Sequence, residues 1–206
     1  MTSVEIEETT GRAARPSGAR ARAREQAILD AALELLLEVG YDRLSMDALA
    51  ERAHAGKATI YRHWSGKAQV VVEAVRRLKN GGEPVPFPST GSLRGDFLAA
   101  LDQMCCAATE VDAAIVASVM TAMRSDAELA ELVRSQILDS KKGEFDGIIE
   151  RAVRRGELPQ GGSAALVEEV ISALLINRMV IEGQSINGQF TTHVVDDIVL
   201  PLLHHQ

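Results

Sequence analysis

The run Leu44-Ser45-Met46-Asp47-Ala48-Leu49-Ala50-Glu51-Arg52-Ala53, followed after three residues by Lys57-Ala58-Thr59-Ile60-Tyr61-Arg62-His63-Trp64, decides the fold. Ser45 is a good N-cap, and Met46, Leu49, Ala50 and Ala53 then recur at i, i+3, i+4 and i+7, the apolar stripe of a short helix. His54-Ala55-Gly56 makes a tight turn, and a second short helix follows with Ile60, Tyr61 and Trp64 facing inward. Two short helices joined in this way form a helix-turn-helix. Its first helix braces across the backbone of a duplex while the second enters a major groove about 12 Å wide. The outer side of that second helix carries Lys57, Thr59, Arg62 and His63, and the Tyr61 hydroxyl points outward while its ring packs. None of these residues is acidic, as a groove lined with phosphates requires.

Working outward, Ile28, Ala32, Leu35, Leu36 and Val39 mark a supporting helix that Gly40 ends in a left-handed cap. After Ser65-Gly66, a helix from Lys67 to Leu78 turns Ala68, Val71, Val75 and Leu78 to one side. Pro84, Pro86 and Pro88 push their preceding residues out of the α region, which makes a linker. The expected organisation is a disordered basic arm at 1–23, a helix-turn-helix domain at 24–80, a Pro-rich linker at 81–92 and a second domain at 93–206. Arg12, Arg15, Arg20, Arg22 and Arg24 give the arm either a solvated or a phosphate-touching role.

Beyond the linker the spacing predicts only helices, so the chain is all-α. Asp112 caps a sixth helix, and Ser125 with Glu128 forms a capping box for a long seventh one that Gly156 and Pro159 stop. Gly143 and Gly147 weaken its middle. From Val170 to Ile181, nine of twelve residues are apolar. A helix so apolar on nearly every side needs cover on nearly every side. The last segment repeats the pattern, with Pro201 expected to end or kink it. A second copy of the chain is expected to supply the cover, making a homodimer through Val170, Leu174, Val195, Ile198, Val199 and Leu202; the alternative is that these helices are the core of a single subunit. Phe97, Leu101, Met104, Met120, Met123, Phe145 and Leu174 either line a pocket for a small apolar or amphipathic molecule or form plain core. Arg178 either pairs with an acid across the dimer seam or awaits an anionic ligand.

The quoted run, with Lys67 added, resembles the DNA-binding domain of the TetR family of bacterial transcriptional regulators over about residues 24–75. The resemblance implies a dimeric repressor that binds palindromic double-stranded operator DNA and is released by an inducer in its second domain. It implies that Ser45, Thr59, Tyr61, His63 and Lys67 hold phosphates, and that Lys57 and Ala58 face bases with Arg62 beside them. Two positions depart from the family. His54 stands where Gly is usual, so it is expected to take a left-handed conformation, and Gly56 stands where Ser usually caps.

Composition excludes several alternatives. The 206 residues carry a net charge of −7, yet residues 11–80 are net +5 and residues 81–206 net −9, so the first part is the one suited to a polyanion. Aromatic residues make up only 3%, too few for a single-strand stacking platform. No apolar run reaches bilayer length and the acidic start lacks a leader pattern, so a cytoplasmic, nucleoid-associated protein without membrane partners is expected. Cys105 and Cys106 are adjacent and make neither a disulfide framework nor a metal site. With no Gly-rich phosphate loop, nucleophile triad or metal-spaced cluster, neither a cofactor nor enzymatic activity is expected. The rival to an inducer-released repressor is a DNA-binding dimer regulated by a partner protein or by abundance.

Overall fold

The computed structural model describes residues 16–78, 87–105, 109–139, 143, 145–159 and 164–204, and the described residues are helical without strands. Helix α1, Pro16–Arg43, begins ahead of the expected domain start. Ala19, Ala21 and Ala23 alternate with arginines, all strong helix formers, behind a proline in the first turn. Residues 16–23 are therefore helical rather than a disordered arm, and Arg20, Arg22 and Arg24 project from exposed turns. Arg12 and Arg15 lie outside the described residues. Gly40 breaks the helix at φ 75 and ψ 166, a region only glycine occupies readily, instead of the left-handed cap expected there.

Helices α2 (Met46–Arg52) and α3 (Lys57–Tyr61) follow, with the Ser45 hydroxyl accepting from Ala48 N at 3.1 Å. His54 adopts the expected positive φ, 48°, and Gly56 caps α3 without a side-chain bond. Helix α4, Lys67–Arg77, buries Ala68 and Val71 as its spacing predicts, but Val70, Val72 and Ala74 are buried as well. The reason lies beyond the linker. After α5 (Leu93–Cys105) come α6 (Glu110–Ala122) and α7 (Ala127–Val133), and α4 packs against both α1 and α7, while α6 packs on α1. Ile115, Val119, Leu129 and Val133 thereby join Ile28, Leu36, Leu49, Ile60, Trp64 and Val71 in one apolar core.

A second core is built by α5, α8 (Asp146–Arg155), α9 (Ala164–Ile176), α10 (Gly188–Val194) and α11 (Leu200–His204). The expected long seventh helix is in fact two. A π turn, Arg134–Leu138, follows α7, and Gly143 takes φ 78 before α8 starts. The caps also differ. Thr109, not Asp112, caps α6, with Asp112 returning the bond as its capping-box partner, and Asp126 rather than Ser125 caps α7 by accepting from Leu129 N at 2.9 Å. Pro201 does not end the last helix. The π turn Val195–Val199 precedes it, so the proline falls in the opening turn of α11, where its missing N–H is tolerated. Among the described residues, no helix is long and apolar enough to cross a membrane.

Pro84 and Pro86 lie outside the described residues, but the end of the expected linker belongs to the second core. The Phe87 ring stacks on Phe145 with centroids 5.2 Å apart, and Arg151 donates to Pro88 O at 3.1 Å. Asp96 anchors this corner and is fully buried. It accepts from Thr90 N at 2.6 Å, from the Thr90 hydroxyl at 2.8 Å, and from Arg151 and Arg155 at 3.3 Å each. Burial opposes its ionisation, but these donors outweigh burial and hold its carboxyl below the usual carboxylate range.

Asp96→Ala removes the buried acceptor shared by Thr90, Arg151 and Arg155, leaving the arginines only Pro88 O and Glu157, and is expected to lower unfolding free energy by about 3 kcal/mol at pH 7. Because the folded-state pKa is depressed, the stabilisation is present above the unfolded value near pH 4 and is lost as pH falls through the folded one. Urea melts at pH 7 and pH 3 check this, with the gap between the two proteins narrowing at pH 3.

Candidate nucleic-acid interface

The expected DNA-facing residues share one exposed end of the molecule, built from the α2 N-terminus, α3 and the α4 N-terminus. Ser45, Lys57, Ala58, Tyr61, Arg62 and His63 are exposed, and Thr59 is half-buried. Tyr61 turns outward more completely than expected, being 53% exposed, so its ring does not pack in the small core beneath. Helix α3 ends at Tyr61; Arg62 continues its path with helical φ and ψ, and His63 sits on the following turn with its ring 5.4 Å from that of Trp64. Trp64 and Ile60 are buried and hold α3 on the core.

Lys67 is more deeply engaged than a plain phosphate contact. Its ammonium donates to Tyr41 O at 2.9 Å and Asp42 O at 3.4 Å, and lies 4.3 Å from the Tyr41 ring centroid. Tyr41 O already accepts from Leu44 N at 3.2 Å, so Lys67 adds a second donor there and ties the end of α1 to α4. Tyr41 is itself buried and donates its hydroxyl to Asp126, the cap of α7, at 2.7 Å. Burial first, then the Asp126 carboxylate, pushes the Tyr41 phenol well above its ordinary pKa. The Leu129 N–H and then the Tyr41 hydroxyl hold the Asp126 carboxyl below its own. Sequence spacing contained no signal for either bond, because the partners are 26 and 85 residues apart.

The face is not free of acid. Asp47, in the first turn of α2, brings its Oδ1 within 2.8 Å of Lys57 Nζ. Reading α3 alone missed it, since the acid comes from the neighbouring helix.

Five of the seven expected apolar pocket residues share the second core, and Met120 and Met123 are apart from them. Phe97, Leu101 and Phe145 are buried in the second core, with Met104 and Leu174 packed partly against it. Met123 packs against the first core and Met120 is exposed. Arg178 needs no anion: it bonds Glu182 at 3.2 Å and Ser185 O at 3.3 Å, and its guanidinium lies 5.0 Å from the Phe190 ring. A cavity of about 350 Å³ lies instead among Glu25, His63, Trp64, Gln69, Glu73 and Gln136, outside the expected set. Of the expected dimer residues, Val195 and Val199 are wholly buried in the second core of their own subunit. Val170, Leu174, Ile198 and Leu202 remain half-buried. Cys106 lies outside the described residues, and Cys105 is placed only as the last residue of α5.

Tyr41→Phe keeps the ring and removes only the bond to Asp126, with an expected cost of about 1.5 kcal/mol at pH 7. Asp126 has a depressed folded pKa, so this cost shrinks as pH falls below about 4, which thermal melts across pH 7 to 3 measure. Lys67→Ala is expected to lower both stability, by about 1 kcal/mol, and the salt slope of binding to any duplex, by about one. An unchanged slope in filter-binding titrations removes Lys67 from the DNA contacts.

Comparison with known proteins agrees with this geometry. Residues 28–74 match the family model described as bacterial regulatory proteins, tetR family, and residues 87–198 match the tetracyclin repressor-like C-terminal domain. The chain is 34% identical over 185 residues to the DNA-binding transcriptional repressor TetR of Mycobacteroides abscessus, covering 90% of this chain and 96% of that one. It is 30% identical over 180 residues to the HTH-type transcriptional regulator YdeS of Bacillus subtilis, covering 85% and 90%. Its fold superposes on Salmonella enterica GusR with a TM-score of 0.70 at 16% identity, covering 94% of this chain and 99% of GusR. The reading head, the helical body behind it and these matches agree that the chain belongs to the TetR family of DNA-binding transcriptional regulators.

Proposed function

We propose that the protein is a dimeric repressor that binds a palindromic operator and is released when a small apolar or amphipathic molecule alters its second domain. The observation that carries this reading is the shared core: Ile115, Val119, Leu129 and Val133 of α6 and α7 pack with the residues that hold α3 and α4. A ligand that favours another arrangement of α6 and α7 would therefore change the setting of the reading head, and its differential affinity for the two arrangements is the whole of the effect. The 34% identical relative from Mycobacteroides abscessus is a transcriptional repressor, which supports the sense of regulation. Half-buried Val170, Ile198 and Leu202, together with exposed Leu166, support pairing through α9 and α11.

In this reading Ser45, Thr59, Tyr61, His63 and Lys67 hold phosphates, while Lys57, Ala58 and Arg62 meet base edges. Lys57 donates to guanine O6 and N7, and the Ala58 methyl meets a thymine methyl. One observation favours the second reading, a DNA-binding dimer without an inducer: Phe97, Leu101 and Phe145 are packed as closed core.

Selection from random duplexes tests the proposal. The expected product is a palindrome with half-site centres about 34–36 Å apart, bound by two subunits. Enrichment of a single half-site, or a lone subunit in sedimentation, overturns it. Titration of the selected complex with anilinonaphthalene sulfonate, an amphipathic probe, separates the readings. Probe binding that releases duplex supports the inducer, and duplex affinity indifferent to the probe supports the second reading.

A further inference from the structure

Lys57 opens α3 at the base-reading position, yet its ammonium does not stand free. It is 2.8 Å from Asp47 Oδ1, and the two side chains are 59% and 70% exposed. An exposed pair of this kind adds little to stability, so its interest lies in where it holds the charge. Asp47 in the first turn of α2 and Lys57 at the start of α3 form one corner of the α2–α3 pair, and the turn between the helices, with His54 at φ 48, sets the angle that brings them together. The Asp47 bond, and then its charge, keep the Lys57 amine above its ordinary pKa. A carboxylate on a surface that approaches phosphates is unfavourable by itself; Asp47 touches no core, and its place in the first turn of α2 favours an acid through the helix dipole without requiring that acid to meet Lys57.

We propose that Asp47 is a positioning residue for DNA reading: it holds the Lys57 ammonium at the α2–α3 corner, withholds that charge from phosphates and aims it at a guanine edge. The inference rests on the assignment of Lys57 to bases in the preceding subsection. A lysine ammonium has three N–H donors on a flexible four-carbon stem. Unrestrained, it reaches any nearby phosphate and strengthens binding to every sequence alike. With one donor committed to Asp47, two remain for guanine O6 and N7, and the swing toward the backbone requires breaking the pair. The carboxylate thereby weakens complexes in which Lys57 has no guanine, and the gain is in discrimination rather than affinity.

Salt dependence on a random-sequence duplex separates this role from a local structural one, because releasing a bound ammonium onto a phosphate adds a counterion to the slope. Four proteins are compared: the unaltered chain, Asp47→Asn, Lys57→Ala and the double variant. Asparagine keeps a polar side chain in the first turn of α2, and melting temperatures confirm that each variant is folded.

In Asp47→Asn the log–log salt slope is expected to steepen by about one, so that affinity between 50 and 200 mM salt falls about three- to fourfold more than in the unaltered chain. Random-duplex affinity at low salt rises several-fold, and preference for guanine in duplex selection weakens at one position per half-site. In the Lys57→Ala background the same substitution is expected to leave the slope unchanged. If Asp47→Asn tightens binding equally in both backgrounds, Asp47 acts only by its own repulsion and the proposal is overturned. A slope indifferent to Asp47→Asn in both backgrounds overturns it as well. A Lys57→Ala variant that binds and selects duplexes like the unaltered chain defeats the base-reading assignment itself, which is a different failure.

Discussion

Burial of α4 on two sides is the constraint on which the rest of the molecule depends. Its sequence has a stripe for α1, but Val70, Val72 and Ala74 are also inaccessible because α7 lies against it. Each large aliphatic side chain so buried contributes roughly 1.5–3 kcal/mol, whereas exposed ion pairs such as Arg52 with Glu34 and Glu38 contribute about 0–1 kcal/mol. The union of head and body is therefore apolar in origin, and the polar bonds fix its angle. Tyr41 to Asp126 is the bond that does so, and Lys67 ties Tyr41 to α4 within the head.

The same arrangement ties the reading surface to the body. Lys67 faces solvent at the α4 N-terminus while bonding the residue whose hydroxyl reaches the α7 cap. A shift of α7 would be felt at Lys67 through two hydrogen bonds and a ring face. Interfaces of this kind have discrete packings rather than a continuum, because close-packed side chains interdigitate. The second core, anchored by Asp96 with Arg151 and Arg155, pins the chain just after the prolines and gives the first core a fixed platform.

Among the described residues, three π turns, Arg134–Leu138, Asn177–Ile181 and Val195–Val199, interrupt the helices of the body. Val195 and Val199 enter their own core on a stripe with Thr191 and Leu203, while Ile198 and Leu202 on the flank of that stripe stay half-buried. The expected single seventh helix is likewise interrupted, by the π turn Arg134–Leu138 and by Gly143 at φ 78, a backbone conformation that apolar periodicity cannot register.

What the sequence determined by itself was local. Ser45 capping α2, the left-handed His54, the Ile60 and Trp64 anchors and the helix-turn-helix they make were legible because caps, turns and stripes act over a few residues. Tertiary structure alone decided which helices share a core, that Tyr41 meets Asp126, that Asp47 meets Lys57, and that Met120 and Met123 part from the other expected pocket residues. Those outcomes depend on contacts between distant segments and on helix rotation, and a pattern of spacing along one helix contains no information about either.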